Sequence, residues 1–225
     1  MMQRPNTIIG WAQAGIKRTS SEDLALLGPT FFSAEQKRVL INTEEGENAF
    51  FTAVCDGLGQ HKSAILAAER ILVELQSFKY PPAQIELEQR ITNIGKELNS
   101  TDKFYAPGAT IAGILFDATC KYAFWAGDSS IFTQNAEGLV EITQQEHTLF
   151  GDRLILKNQI GGGAKNGGTI NFTTVEGEPF LIIICTDGAR EFVLSAEWYD
   201  TDRTEIEFFS QAFSDDAMIL ILKMA

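Results

Sequence analysis

Aspartates stand at the ends of the most apolar segments of this sequence. Three apolar runs, each interpreted as a buried β-strand, stop at an Asp-Gly or Gly-Asp pair, and a fourth begins just after two adjacent aspartates. A chain of this kind has to bury these strands while it keeps a charged group at one end of each. The carboxylates concerned are those of Asp56, Asp128, Asp187, Asp215 and Asp216.

An Asp-Gly pair after a strand also has a purely structural explanation, because both residues favour turns. If sheet pairing brings several of these strand ends together, however, the carboxylates repel one another unless cations neutralise them. Oxygen ligands select hard cations, so Mg²⁺ or Mn²⁺ is expected rather than zinc or copper. Two such ions about 3.5–4 Å apart form a site for in-line phosphoryl displacement. The pattern therefore indicates a candidate metal site and suggests phosphoryl chemistry as a hypothesis.

The order of the predicted elements indicates an α+β fold in a single domain that covers residues 1–225. Apolar residues recur at helical spacing over residues 62–78 and again from Ala83, and Pro81-Pro82 supplies the turn between the two helices. Further helices are predicted over residues 191–198 and 204–213. The order of strands and helices favours mostly antiparallel pairing over a doubly wound sheet. Strands are predicted over residues 49–55, 110–116, 121–125, 130–134, 169–175, 179–186 and 218–224.

Charge and composition narrow the classes of partner. The formal net charge is −12 at pH 7, which argues against a basic surface for nucleic acid or anionic lipid. The three cysteines lie far apart and form neither a zinc motif nor a disulfide framework. The start of the chain leads into no apolar segment of signal-peptide length, and no apolar run is long enough to cross a membrane. We therefore expect a cytoplasmic protein with neither nucleic acid nor membrane as a partner.

A series of short motifs follows from about residue 10 to the C-terminus. They are Arg18-Thr19-Ser20-Ser21-Glu22-Asp23, Asp56-Gly57-Leu58-Gly59-Gln60-His61, Gly108-Ala109-Thr110, Gly127-Asp128-Ser129-Ser130, Ile142-Thr143 with His147, Thr186-Asp187-Gly188-Ala189-Arg190-Glu191 and Asp215-Asp216-Ala217-Met218-Ile219. In this order the motifs resemble those of the metal-dependent protein phosphatases, the phosphatase 2C type, in their compact bacterial form. Each motif by itself is weak evidence for the family, whereas the series in this order is specific for it.

The resemblance implies an α-β-β-α sandwich of two mostly antiparallel sheets between helical layers. It also implies a site for two Mn²⁺ or Mg²⁺ ions, with a weaker third position. By motif, Asp56 would bridge both ions and the carbonyl group of Gly57 would bind one of them. Asp187 and Asp215 would hold the other ion, and Asp128 would belong to the third position.

Other residues take their expected roles from the same resemblance. Asp23, and also Glu22, would act through metal-bound water, and Arg18 would bind the substrate phosphate through its fork of donors. His61 would protonate the leaving alkoxide, although a histidine at such a turn is as often a simple hydrogen-bonding residue. For His147 a structural role is the favoured interpretation.

Several residues depart from the family pattern, although no departure removes a carboxylate of the metal core. An active enzyme is therefore expected. The replacement of asparagine by Asp216 leaves both Asp215 and Asp216 as possible ligands, and the register favours Asp215. The other departures are Gln60 for glycine, Ser130 for arginine, Glu191 for aspartate and Met218 for threonine or serine.

The expected reaction is hydrolysis of a phosphoserine or phosphothreonine monoester by metal-activated water. The expected partners are phosphorylated proteins, with a cognate serine/threonine kinase as a further candidate, and the expected state is a monomer. Two alternatives stay open: a non-catalytic regulatory or scaffolding module, and a metal-dependent phosphodiesterase or nuclease, against which the acidic charge counts. Residues 161–168 contain five glycines and are predicted to form a flexible loop near the site rather than a phosphate loop.

Overall fold

Two β-sheets lie face to face, and a pair of helices covers the outer side of each sheet. The structure, a computed structural model, describes residues 5–16, 18, 20–42, 51–58, 62–101, 106–117, 120–144, 147–150, 153–198 and 200–224. The helices are α1 (Lys62–Ser77), α2 (Gln84–Thr101), α3 (Asp187–Ser195) and α4 (Thr201–Ser210). The expected α-β-β-α sandwich is therefore confirmed.

The described part of the chain contains sixteen strands, and each of the two sheets draws its strands from several separate segments. They are β1 (Pro5–Gln13), β2 (Asp23–Leu27), β3 (Thr30–Ser33), β4 (Arg38–Asn42), β5 (Phe51–Leu58), β6 (Gly108–Ala109), β7 (Ile111–Phe116), β8 (Lys121–Ala126), β9 (Ser130–Asn135), β10 (Gly138–Glu141), β11 (His147–Phe150), β12 (Arg153–Leu156), β13 (Ile160–Gly161), β14 (Asn171–Thr174), β15 (Leu181–Cys185) and β16 (Ala217–Met224).

Every strand pair among the described residues is antiparallel. The first sheet has the order β10-β9-β15-β16-β1-β4. The second has the order β13-β6-β5-β7-β8-β14, with β2 also paired to β5 and β3 to β2. Strands β11 and β12 pair with each other and belong to neither of the two large sheets.

The apolar runs of β15 and β16 are continuous because this sheet is covered on both faces. Side chains of a strand alternate between its two faces. Ile182 and Leu220 point into the core between the sheets, whereas Ile183 and Ile221 pack beneath α3 and α4. Full burial of each such side chain contributes roughly 1.5–3 kcal/mol. Central strands covered in this way bring their charged ends to a fixed edge of the sandwich.

The helices pack through the apolar stripes that the sequence predicts. In α1 and α2 the residues Leu72, Leu75, Ile91 and Ile94 are buried against the second sheet. The two helices are separated at Pro81 and Pro82, as predicted. None of the helices in the described part of the chain is long and apolar enough to span a membrane.

The structure differs from the predicted elements at the positions that carry charge. Strand β5 continues through Asp56 and Gly57 to Leu58 instead of ending before them. Helix α3 starts directly at Asp187, whereas the prediction placed its start at Glu191. The extension of β5 arises from the tertiary structure, because its backbone pairs with β2 and β6. Helix α3 begins directly after Thr186, whose N–H group donates to the carbonyl oxygen of Met218 at 3.1 Å.

The glycine-rich segment is packed against α2 rather than forming a loose loop. The backbone of Gly167 comes so close to Gly95 that a Cβ at position 95 would collide with the Gly167 carbonyl oxygen. The side chain of Asn99 accepts from the Gly163 N–H at 2.7 Å and donates to the Ala164 carbonyl at 2.9 Å. A phosphate loop, which needs backbone N–H groups available to an anion, finds no support here.

Candidate metal centre

Asp23 and Asp56 face each other across a pair of antiparallel strands. The register of β2 and β5 places them as direct partners, so their side chains lie on the same face of the sheet. Asp56 stays inside the strand because its carbonyl oxygen accepts from the Thr110 N–H at 2.9 Å. Like charges placed opposite each other are unfavourable in a sheet. The centre of the site is therefore a pair of carboxylates that the strand register holds together.

Gly57 lets α1 approach this pair closely. A Cβ at position 57 would lie 2.7 Å from both the carbonyl carbon and the carbonyl oxygen of Ala64, in the first turns of α1. Its N–H group donates to the carbonyl oxygen of Glu22 at 3.3 Å. A glycine is therefore required where the strand passes beneath the helix. Its neighbours Gly59, Gln60 and His61 lie outside the described residues, and the predicted role of His61 stays a prediction.

Three further carboxylates reach the same edge through the first sheet. Strand β15 lies between β9 and β16, and its last residue, Cys185, pairs with Ser130 at the start of β9 and with Ile219 near the start of β16. Because the neighbours are antiparallel, the segments that precede β9 and β16 lie beside the end of β15. Those three positions carry Asp128, Asp215 and Asp187.

Thr186 joins the two sheets at this edge. Its hydroxyl group donates to Asp23 Oδ2 at 2.7 Å and accepts from the backbone N–H of Met218 at 3.0 Å. Asp23 therefore belongs to the second sheet, while its hydrogen-bond donor belongs to the first. The sequence motif contains Thr186 but gave no reason to assign it this contact.

Mutual repulsion among the carboxylates is visible in their pKa values. The loss of hydration, followed by repulsion from Asp23, Asp187, Asp128 and Asp215, raises the pKa of Asp56 well above its ordinary value. Asp187 is exposed as a residue, but its carboxyl group is poorly hydrated. Desolvation, followed by repulsion from Asp128 and Asp215, raises the pKa of Asp187 to about 6. These groups therefore share one electrostatic field.

Asp23 gives the clearest sign that the site suits a cation. Its side chain is 1% exposed, and Oδ1 is buried with no hydrogen-bond partner among the described residues. Desolvation is the main cause that raises the pKa of Asp23, and repulsion from Asp216 and Asp187 adds to it. A carboxylate oxygen without a donor, beside other carboxylates, has the chemistry of a ligand for Mg²⁺ or Mn²⁺. The donor set therefore fits a hard divalent cation.

The adjacent residues Asp215 and Asp216 have different environments. Asp216 is 3% exposed, and its two oxygens accept the backbone N–H groups of Gly15 at 2.9 Å and Glu22 at 2.7 Å. Asp215 is half-buried and is among the carboxylates that repel both Asp56 and Asp187. Asp216 therefore holds the backbone of the Arg18 segment, and Asp215 faces the carboxylate cluster.

Arg18 reaches the site through two ion pairs. Its guanidinium group contacts Glu22 Oε2 at 2.7 Å and Asp215 Oδ1 at 2.6 Å. Burial opposes the charge, but the hydrogen bond and the charges of Glu22 and Asp215 raise the pKa of Arg18 further above its usual range. The guanidinium group thus lies at the carboxylate edge as a permanent positive charge.

Two contacts at the site were not predicted from the sequence. His147 Nε2 lies 3.1 Å from Asp128 Oδ2, so this histidine reaches the cluster from the separate strand pair β11–β12. Arg190, in the first turn of α3, forms a two-pronged ion pair with Glu141 at the end of β10. The partial match to a family motif at His147 was a sequence signal for the first contact. The second contact joins residues 49 positions apart, so no local pattern indicates it.

The carboxylates converge on one edge, but the described side chains do not form a complete set of ligands. Within the described ranges, no three acidic, histidine or cysteine side chains lie close enough together to ligate one metal ion. Five of the predicted site aspartates nevertheless share one edge, together with Glu22, Gly57 and Arg18.

No family model and no curated protein matches this sequence. Solved structures do share its fold at low sequence identity. The catalytic domain of the serine/threonine protein phosphatase PstP with two manganese ions superposes with a TM-score of 0.68 at 15% identity, over 97% of this chain and 99% of that chain. PppA of Pseudomonas aeruginosa, described as a key regulatory component of T6SS, gives 0.74 at 14% identity over 100% of both chains.

The serine/threonine phosphatase Stp1 of Staphylococcus aureus gives a TM-score of 0.70 at 14% identity, over 100% of this chain and 96% of that chain. These likenesses extend over essentially the whole chain and agree with the layers, strand pairing and helices described above. The resemblance read from the motifs is confirmed at the level of the fold, and this chain has the fold of the compact bacterial phosphatases of the phosphatase 2C type.

Proposed function

We propose that this protein is a metal-dependent phosphoprotein phosphatase that hydrolyses phosphoserine and phosphothreonine. The observation that carries the proposal is the buried Asp23 Oδ1, which has no hydrogen-bond partner among the described residues. Asp56 is the direct partner of Asp23 on the neighbouring strand. A carboxylate pair of this kind is costly without cations. Strands β2 and β5 of the second sheet and Thr186 of the first sheet maintain this pair, and a bound cation would offset its cost.

The proposed ligands of two Mn²⁺ or Mg²⁺ ions are Asp56 and the Gly57 carbonyl group, with Asp187 and Asp215 from the first sheet. Asp23 and Glu22 contribute through water, and Asp128 belongs to a third position. When bound, such ions lower the pKa of water and neutralise charge that develops on a phosphoryl group. We prefer Asp215 over Asp216 because both oxygens of Asp216 already accept backbone N–H groups.

The residues of the chain have separate tasks in this reaction. Arg18 offers its guanidinium group to the phosphate dianion of the substrate, and Glu22 and Asp215 hold it at the site. Asp216 fixes the backbone of Gly15 and Glu22 on either side of Arg18. His61 is proposed as the donor of a proton to the leaving alkoxide.

The proposal extends to the setting of the enzyme. Phosphorylated proteins are its substrates, and a cognate serine/threonine kinase is a candidate partner. The same proposal takes the protein to be a cytoplasmic monomer of one domain over residues 1–225. The net charge of −12 supports protein over nucleic acid as the substrate class.

The test is hydrolysis of a phosphothreonine peptide with Mn²⁺, with Mg²⁺ and with chelator. We expect turnover that requires metal and falls by at least about 100-fold in Asp56→Asn, because charge stabilisation by the cations supplies most of the acceleration. Asp202→Asn, which removes an exposed carboxylate from α4, is the matched control and should keep wild-type turnover. Metal-dependent turnover that survives in Asp56→Asn would contradict the assignment of Asp56.

A non-catalytic module with the same fold is the second candidate. The observation in its favour is that no group of three potential ligands is assembled among the residues the structure describes. One structure with this fold is described as a regulatory component. Folded protein that binds Mn²⁺ but hydrolyses neither the phosphothreonine peptide nor a phosphoserine peptide would favour this candidate.

A further inference from the structure

The strand pair β11–β12 touches the carboxylate cluster through one histidine. These strands pair only with each other among the described strands, in the register His147↔Leu156 to Phe150↔Arg153. His147 is the first residue of β11, and its Nε2 lies 3.1 Å from Asp128 Oδ2. Both side chains are partly shielded, at 28% and 13% exposure. A contact that excludes much of the water is stronger than the same contact at an open surface.

Thr110 packs against the turn that carries Asp128. Gly127 has a positive φ of 105°, and a Cβ there would lie 2.7 Å from the Thr110 methyl group. The hydroxyl groups of Ser129 and Thr110 lie 2.8 Å apart in a buried hydrogen bond. Thr110 therefore contacts both residues that flank Asp128, and the contact with His147 constrains the side chain of Asp128.

The chain leading to β11 is also tied to the site. Trp125 is the penultimate residue of strand β8, shortly before Asp128. Its Nε1–H group donates to the carbonyl oxygen of Gln144 at 3.2 Å. Gln144 lies three residues before His147. The segment that delivers the histidine is thus anchored beside the strand that delivers the aspartate, so the contact joins two elements that are already neighbours.

We propose that His147 is a positioning residue, which donates its Nε2–H to Asp128 and orients that carboxylate for cation binding. The inference rests on the proposed function and adds to it a coupling between β11–β12 and the weaker cation position. Groups that hydrogen-bond to a metal ligand fix its orientation, and their loss typically weakens metal affinity about 10–100-fold. Asp128 and Asp187 repel each other, and the contact with His147 constrains the Asp128 side chain against that repulsion.

Thermodynamic linkage determines whether cation binding strengthens or weakens the docking of β11–β12. If His147 favours cation binding at Asp128, the cation favours docking of β11–β12 by the same factor. Mn²⁺ should therefore slow backbone hydrogen exchange in residues 147–156. A competitive contact, in which the histidine occupies the oxygen that the cation needs, would have the opposite effect.

The experiment compares the wild type with His147→Leu and His147→Gln. Leucine keeps the bulk without a donor, whereas the glutamine amide places an N–H group near the position of Nε2. Mn²⁺ binding is measured by calorimetric titration, and exchange of residues 147–156 by mass spectrometry with and without Mn²⁺. A cooperative unfolding transition of each variant, measured in the presence of chelator, shows that the variant is folded.

We expect His147→Leu to lose about 10–100-fold in affinity for the weaker class of Mn²⁺, while the tighter class is unchanged. The same variant should lose the protection that Mn²⁺ confers on residues 147–156, and His147→Gln should retain most of both. A purely structural histidine would change the exchange rates without changing Mn²⁺ affinity.

Either of two results would overturn the inference alone: unchanged weaker-class affinity in His147→Leu, or tighter Mn²⁺ binding in that variant. A folded wild type that binds no Mn²⁺ at all would overturn both this inference and the proposed function. Wild-type Mn²⁺ binding that is insensitive to His147 leaves the proposed function standing, so the two failures are distinguishable.

Discussion

Two buried carboxylates near the site are treated very differently by their surroundings. Both oxygens of Asp216 accept backbone N–H groups, whereas among the described residues the carboxylate of Asp23 has one donor, the Thr186 hydroxyl group at Oδ2. Asp23 Oδ1 is buried without a partner among the described residues. A buried charge with this deficit destabilises the folded chain unless a cation completes it. Asp216 is therefore suited to a structural role and Asp23 to a role toward a ligand.

The unpartnered carboxylate oxygen of Asp23 should affect the stability of the protein. In the presence of chelator, Asp23→Asn should stabilise the protein by about 1–3 kcal/mol, because the neutral amide removes a buried charge that is repelled by Asp216 and Asp187. The same variant should lose most of the stabilisation that the wild type gains from Mn²⁺. Urea denaturation with chelator and with Mn²⁺ measures both effects. Asp202→Asn is the exposed control, and a less stable Asp23→Asn in chelator would show that Asp23 is satisfied without a cation.

At the scale of the elements, an ion pair ties α3 to the edge of the first sheet. Arg190 contacts Glu141 through Nη2 at 2.7 Å and Nε at 3.3 Å, and Ser130 donates to the same carboxylate at 2.7 Å. Glu141 ends β10 and Ser130 begins β9, two residues after Asp128. Arg190 follows Asp187 by three residues, on the first turn of α3. This brace therefore fixes the segments that carry two mutually repelling aspartates.

We predict a coupling energy of about 1–2 kcal/mol between Arg190 and Glu141, because the pair is two-pronged and partly buried. The measurement is a double-mutant cycle on unfolding free energy with Arg190→Met, Glu141→Gln and the double variant. The exposed pair Arg203–Glu207 on α4 is the matched control, and a value near 0.3–0.5 kcal/mol is expected for it, roughly that of helix surface pairs. Equal couplings for the two pairs would show that the Arg190–Glu141 pair holds these segments no more strongly than an exposed helix pair does.

Burial of the two sheets stabilises the fold of the whole chain, but it also places carboxylates close together at the strand ends, where they repel one another. The cores between and outside the sheets fix the register of β5, β15 and β16. That register brings carboxylates together that would separate in an unfolded chain. Part of the free energy of the core is thus spent in holding charges in proximity, which cations can relieve.

The pH dependence of stability follows from this balance. The pKa of Asp187 is raised from 3.8 to about 6 in the folded protein, so the folded chain binds this proton more tightly than the unfolded chain. The contribution of Asp187 to stability is therefore greatest below about pH 4 and is lost as the pH rises toward about 6. In chelator, Asp187→Asn should gain stability relative to the wild type across this window.

Urea midpoints of both proteins at several pH values provide the measurement. The difference between Asp187→Asn and the wild type should grow over the window and stay constant above about pH 7, where the carboxyl is ionised in both states. With Mn²⁺ in excess the order should reverse, because a ligand that binds only the folded state stabilises it. A difference independent of pH would contradict the raised pKa.

The sequence determined the apolar strands, the helix stripes and the position of an aspartate at the end of each run, because these follow from local periodicity and turn preference. The order of the motifs was enough to predict the α-β-β-α layers and the residues of the carboxylate edge. It also predicted that Arg18 and Glu22 belong to that edge, where they form an ion pair.

The use of those residues depends on contacts between segments that are distant in the sequence. Strand β5 runs through Asp56 because β2 and Thr110 supply partners for its backbone, and no local signal shows that. The roles of Asp215 and Asp216 differ because, among the described residues, Asp216 alone of the two accepts a backbone N–H group at each oxygen. Thr186 and His147 acquire their contacts from segments 163 and 19 residues away, respectively. Periodicity selects which side chains are buried, but the partner of a polar group depends on strand register and layer packing, which are properties of the whole chain.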